Sequence, residues 1–196
     1  MTFSEYELEL RLAFSQHPKD NREEEIYSLI LSIMRNVYSK KIYDEKVFSI
    51  RDIHQSPPVR RDTLYGESGY PDLAIYSQNL KDDTDREDFK NILGIVEAKA
   101  IGGTYKRDRE HILGEINYYK KVLYTNGILW VYYNKDEKNV ESLEDDYIWK
   151  VNLLTDEEGN EYAELGKKGI VMFPELSYTK WRKLKRYLRD YIDWEK

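Results

Sequence analysis

The chain has 196 residues, 40% of them hydrophobic and 35% charged, with a formal net charge of −6. This is long enough for one domain with its own apolar core, and the mixture is that of a water-soluble globular chain. The absence of cysteine excludes disulfides and thiolate zinc sites, and no apolar run approaches the ~18 residues of a membrane span.

The N-terminus, Met1-Thr2-Phe3-Ser4-Glu5, lacks the basic-then-apolar order of a signal peptide, so the expected location is cytoplasmic with no membrane partner. The three histidines, His17, His54 and His111, are scattered, which argues against a histidine-rich metal centre. His111 is given no role. Any metal is expected to be a hard cation on carboxylates. Net acidity speaks against a simple basic nucleic-acid binder, but the charge is uneven. Acids concentrate in Asp82–Asp88 and Asp136–Glu164, and bases in Lys180–Arg189.

In chain order, residues 2–16 predict an amphipathic helix capped by Thr2 or Ser4, with Leu8, Leu12 and Phe14 on its apolar side. His17-Pro18 breaks it. A helix over 22–38, capped by Asp20 or Asn21, carries Ile26, Leu29, Ile30, Ile33, Met34 and Val37 at helical spacing. Residues 47–51 and 70–76 read as strands, the second opened by Pro71, with an irregular stretch between them. After a polar, mostly acidic connection, Ile92 to Ala100 reads as a central strand buried on both faces. A helix over 107–123 follows, with Ile112, Ile116, Tyr119 and Val122 or Leu123 inward. Thr125-Asn126-Gly127 is a turn and 128–133 a strand. Surface strands near 147–153 and 169–173 and a helix over 178–194 complete the chain. Over 22–133 the order is helix, strand, strand, strand, helix, strand: an α/β fold with a mixed sheet.

Two segments carry the chemistry, Gly69-Tyr70-Pro71-Asp72-Leu73 and Val96-Glu97-Ala98-Lys99-Ala100. Side chains alternate along a strand, so Glu97 and Lys99 share one face and Val96 and Ala98 the other. An acid and a base inside an apolar strand need partners, because burying them unpaired costs several kcal/mol. If the two strands pair, Asp72 approaches Glu97. Two adjoining carboxylates repel, and a divalent cation relieves the repulsion. Oxygen ligation suits Mg²⁺ or Mn²⁺, which activates water and polarises a phosphate. Lys99 could orient that water or stabilise phosphate charge.

The pattern resembles the PD-(D/E)XK nuclease superfamily, with Pro71-Asp72 as the PD element and Glu97-Ala98-Lys99 as the (D/E)XK element. The element order over 22–133 resembles its αβββαβ core. Glu115-Ile116-Asn117-Tyr118-Tyr119 and the run Leu123 to Tyr133 look like the N-terminal nuclease domain of type I restriction-enzyme R subunits. That subgroup often carries a glutamine four residues before the tyrosine; here Glu115 stands four before Tyr119. The helicase of a complete R subunit is absent, so translocation is not carried over.

The resemblance implies a restriction-endonuclease-like domain over 1–196, with core 22–133 and an acidic elaboration and terminal basic helix over 134–196. It implies a metal-dependent deoxyribonuclease with Asp72, Glu97 and Lys99 catalytic and Mg²⁺ or Mn²⁺ as cofactor. DNA is the expected partner, RNA an open alternative, and a homodimer or protein partner is compatible with it. The superfamily often adds an acid from the first core helix. At ~100° per residue, Glu23 flanks the Ile26–Ile30–Ile33 face, Glu25 lies on the other flank and Glu24 points away, so Glu23 is favoured and Glu25 second. Glu115 and Tyr119 are accessory candidates. Lys106, Arg107 and Arg109 after the Gly102-Gly103 turn, and Lys183 and Arg186 on the terminal helix, could contact phosphates. The alternative reading is a non-catalytic module on the same fold, binding nucleic acid or protein, for instance in a phage or defence system.

Overall fold

The computed structural model describes residues 1–16, 24–38, 47–53, 69–78, 92–100, 109–155, 173–192 and 194. Four helices and six strands lie among them: α1 (Phe3–Gln16), α2 (Glu24–Tyr38), β1 (Val47–Asp52), β2 (Leu73–Gln78), β3 (Ile92–Ala98), α3 (Arg109–Tyr119), β4 (Lys121–Thr125), β5 (Leu129–Asn134), β6 (Trp149–Asn152) and α4 (Tyr178–Asp190). The strands form one sheet in the order β1-β2-β3-β4-β5-β6. Only β3 and β4 pair in parallel; the other neighbours are antiparallel. The architecture is α/β with a mixed sheet.

The parallel pair requires a crossover, and α3 lies in it. Alternation along β3 and β4 then divides the core. Val96, Ala98 and Leu123 join Trp130 and Tyr132 beneath α1, α2 and α4. Ile95, Val122 and Tyr124 pack with Val131 and Tyr133 against Ile112, Ile116 and Tyr119 of α3.

The apolar stripe expected on α2 is buried in full. On α1 the inward residues are instead Tyr6 and Leu10, while Leu8 and Leu12 are 56% and 42% exposed. Position decides this: the Tyr6 ring lies 4.3 Å from that of Trp181, and its hydroxyl donates to the Gly127 carbonyl. Leu8 and Leu12, about 200° round the helix from Tyr6 and Leu10, have no core to meet. Thr2 and Glu5 cap the helix reciprocally: Thr2 Oγ1 accepts from Glu5 N and Glu5 Oε2 from Thr2 N.

The helix expected over 107–123 ends at Tyr119, and Lys121–Thr125 is a strand. Lys120 adopts φ 68°, a left-handed C-terminal stop. Beyond it Val122-Leu123-Tyr124-Thr125 favours extended chain and sends alternate residues into the two cores. The expected strand over 128–133 is therefore the second arm of a β4–β5 hairpin. Asn126 Oδ1 accepts from Ile128 N and Leu129 N at its turn, and Gly127 takes φ 82°. Among the described residues of 22–133 the order is α2-β1-β2-β3-α3-β4-β5, one strand more than expected, because the end of the expected helix is β4. The strand expected near 169–173 falls mostly outside the described residues, as do the capping positions Asp20 and Asn21.

The chain's end closes the larger core. Trp194 Nε1 donates to the Tyr38 hydroxyl at 2.7 Å, and the buried Lys121 Nζ donates to the Trp194 carbonyl at 3.2 Å. Gly94 makes room for this: a Cβ there would lie 2.3 Å from Trp194 Cζ3 and 2.8 Å from the Lys121 carbonyl. Gly94→Ala is expected to lower unfolding stability by about 1–3 kcal/mol through overpacking, read as an earlier midpoint in urea denaturation.

Candidate functional site

The β2–β3 register pairs Leu73 with Val96, which sets Asp72 opposite Glu97 at the strand ends. Pro71, which has no backbone N–H to donate, delays the strand to Leu73, so Asp72 stands at its mouth. Glu97 and Lys99 project toward α3, on the face shared with Ile95. Lys99 N donates to the Thr125 carbonyl at 2.8 Å and prolongs the parallel ladder past β3. Asp72, Glu97 and Lys99 are thus brought together. The Lys99 ammonium contacts Glu97 Oε1 directly.

Asp72 is held from two sides. Ala98 N donates to its Oδ2 at 2.7 Å, and the Tyr27 hydroxyl to its Oδ1 at 2.5 Å. Tyr27 belongs to α2, so the helix on the other side of the sheet orients this carboxylate around the strand end. Burial, followed by the Glu97 charge, pushes Asp72 up to about 6, against the opposing pull of Tyr27, Ala98 N–H and Lys99.

From the other direction α3 contributes a stripe one turn apart at each step: His111, Glu115, Tyr119. His111 Nε2 lies 3.2 Å from Glu97 Oε1 and 3.5 Å from Glu115 Oε1. Glu97 and Glu115 are each 1% exposed, whereas a third of the His111 side chain faces outward (33%). Burial alone would raise Glu97, but the His111 hydrogen bond and the adjacent Lys99 ammonium outweigh it and hold the carboxyl below its usual range. Glu115 moves the opposite way, well above the usual range, driven by burial and then by the charges of Glu97 and Asp72. Burial and the nearby Glu115 also raise the Tyr119 phenol.

Glu97 Oε2 and both Glu115 carboxylate oxygens are buried without a hydrogen bond among the described residues. Such orphaned acceptors are expensive. With His111 they are the atoms best placed to receive a cation: one ligand atom from each of Glu97, His111 and Glu115 lies within 4.8 Å of the others. The cluster thus adds an imidazole nitrogen to the carboxylates, and His111, given no role from the sequence, stands within it. Its signal was its place four residues before Glu115 and eight before Tyr119, on a stripe whose other members had been singled out.

Tyr119 is buried in the α3 core, one turn beyond Glu115. Arg109 opens α3 and is exposed, its guanidinium donating to the Glu141 carbonyl at 3.4 Å. Lys183 and Arg186 are exposed on α4, both over the Tyr187 ring. Since α4 packs on the face away from α3, they are not part of this cluster. Glu23, Lys106 and Arg107 lie outside the described residues, as does the side chain of Glu25.

No family model, curated protein or solved structure matches the chain.

The buried acids make stability pH-dependent. Asp72, usually near 3.8 and here about 6, and Glu115, raised in the same sense, keep protons in the folded chain that the unfolded chain has released. Stability should therefore fall as pH rises from about 4 through 6 and beyond. The depressed Glu97 acts oppositely, but its contribution is lost only as pH falls below its ordinary 4.5. Denaturation in EDTA should show a loss on the order of 2–3 kcal/mol between pH 4.5 and 7. Glu115→Gln should flatten that slope and raise the pH 7 midpoint. A wild-type profile that climbs across the window would contradict the assignment.

Proposed function

We propose that the protein is a metal-dependent nuclease that hydrolyses phosphodiester bonds in DNA. The observation that carries this reading is the convergence of Asp72, Glu97 and Lys99 at the mouth of two paired strands, with a buried Glu97 oxygen left without a hydrogen bond among the described residues. The order α2-β1-β2-β3-α3-β4 supports a restriction-endonuclease-like core, in which these strand ends carry the chemistry.

Asp72 and Glu97 would hold Mg²⁺ or Mn²⁺ between them. Both carboxylates fit: Glu97 Oε2 is buried without a hydrogen bond among the described residues, and the strand register sets Asp72 directly opposite Glu97. When bound, the cation supplies charge neutralisation at the phosphate and a lowered pKa for the attacking water. The chain's own groups do the rest. Tyr27 and the Ala98 N–H fix the direction of the Asp72 carboxylate. Lys99, partly exposed, orients the water or meets the non-bridging phosphate oxygens. Water adds to phosphorus, one P–O ester bond breaks, and the departing oxygen takes up a proton.

The decisive assay offers linear, circular and single-stranded DNA with Mg²⁺, Mn²⁺ or EDTA. Wild type is expected to cut with metal alone, and Lys99→Ala to lose at least about a hundredfold in rate with an unchanged circular dichroism spectrum. A wild type that cuts none of them, or a Lys99→Ala variant that cuts as fast, ends the proposal.

A further inference from the structure

We infer that Glu97, His111 and Glu115 form a divalent-cation site of their own, one that takes a transition-metal ion in preference to Mg²⁺. It shares Glu97 with the cation proposed above, but it rests on ligand geometry and not on cleavage.

The distances fit a shared centre. With metal–ligand bonds of about 2.1 Å, neighbouring donors around a tetrahedral or octahedral cation stand about 3.0–3.4 Å apart. His111 Nε2 stands 3.2 Å from Glu97 Oε1 and 3.5 Å from Glu115 Oε1. His111 and Glu115 are one helical turn apart, the spacing at which two side chains on a helix reach one point. Glu97 faces them from β3. All three residues sit on regular secondary structure, one on β3 and two on α3, so the donors are preorganised.

The same two carboxylates also carry buried acceptors without a hydrogen bond among the described residues. These are both Glu115 oxygens and Glu97 Oε2, on side chains that are each 1% exposed. A proton on Glu115 shared with the Glu97 carboxylate resolves this only in part: it satisfies one oxygen of each and leaves the other Glu115 oxygen unmet among the described residues. An imidazolium at His111 offers one N–H toward two carboxylates. A cation can be contacted by all three groups at once and leaves its remaining positions for water on the side where His111 meets solvent. Access and ligation thus come from the same residue.

The nitrogen donor sets the selectivity. Mg²⁺ favours oxygen ligands and holds its waters, whereas imidazole suits the transition series, in which affinity rises from Mn²⁺ toward Cu²⁺. Manganese is the useful probe because it is paramagnetic and also serves oxygen-rich sites.

The experiment strips the protein with EDTA, adds one equivalent of Mn²⁺ to chain labelled with ¹⁵N-histidine, and records electron-spin-echo modulation. Calorimetry with Mn²⁺ and Mg²⁺ runs alongside. Wild type is expected to show ¹⁵N coupling and to bind Mn²⁺ at least about tenfold more tightly than Mg²⁺. His111→Gln should lose the coupling and weaken Mn²⁺ by about tenfold or more, while Mg²⁺ changes by less than about threefold. Asp72→Asn should keep the coupling even if it abolishes DNA cleavage, so this site and the nuclease reading fail separately. A His17→Gln/His54→Gln double variant that keeps the coupling assigns it to His111 even if His111→Gln does not fold. No ¹⁵N coupling in wild type, coupling that survives in folded His111→Gln, or coupling lost in Asp72→Asn would each overturn the site. The first would leave His111 as a counter-ion only.

Discussion

The carboxylate of Glu97 is buried near the end of a strand that has neighbours on both sides and helices on both faces. A charge in that position must be met by other polar groups, because water cannot reach it freely. Each part of the surrounding topology brings one. The antiparallel neighbour β2 sets Asp72 opposite it. The strand's own alternation returns Lys99 to its side two residues on. The parallel neighbour β4 requires a crossover, and the crossover helix carries His111 and Glu115. The mixed character of the sheet is therefore inseparable from the composition of the site: an antiparallel β3–β4 hairpin could have closed without α3.

Most of the apolar burial among the described residues lies on the opposite face. There α1, α2 and α4 close over the sheet, with Trp130, Tyr132, Trp181 and Trp194 among the fully or almost fully buried side chains. The α3 face is smaller and holds the acidic cluster at one end. Such a division lets one layer supply apolar burial while the other accommodates groups that oppose folding. The two layers are joined where Tyr27 of α2 donates to Asp72. That hydrogen bond partly offsets the burial and the Glu97 charge that raise the Asp72 carboxyl.

Two carboxyls respond to this enclosure in opposite directions. Glu97 is lowered because His111 and Lys99 outweigh its burial, and Glu115 is raised by burial first and then by the charges of Glu97 and Asp72. Neighbouring acids with divergent environments are a frequent signature of functional clefts, although structural networks produce them too. The distinguishing feature is the set of buried oxygens on Glu97 and Glu115 that no described group satisfies.

Much of this was legible in the chain itself. The alternation of Val96-Glu97-Ala98-Lys99 assigns faces with no knowledge of the fold, because a strand has period two. The α2 stripe was equally plain, because six apolar residues at helical spacing leave one face to bury. Local pattern failed where it could be read two ways. Residues 121–125 continue the apolar spacing of α3 but form a strand, since the left-handed Lys120 breaks the helix and the sheet offers Val122 and Leu123 separate cores. Leu8 and Leu12 look like core residues, but α1 docks through Tyr6 and Leu10 because the Gly127 turn and Trp181 lie on that side. His111 is the sharpest case. Alone in the sequence it is one imidazole near a helix start; its meeting with Glu97 depends on how a crossover helix is seated over a parallel strand pair. The sequence by itself determined which side of β3 the acid and base occupy, because alternation is local. Only the tertiary structure decided that a nitrogen joins them, because that contact spans two elements whose relative seating no local pattern encodes.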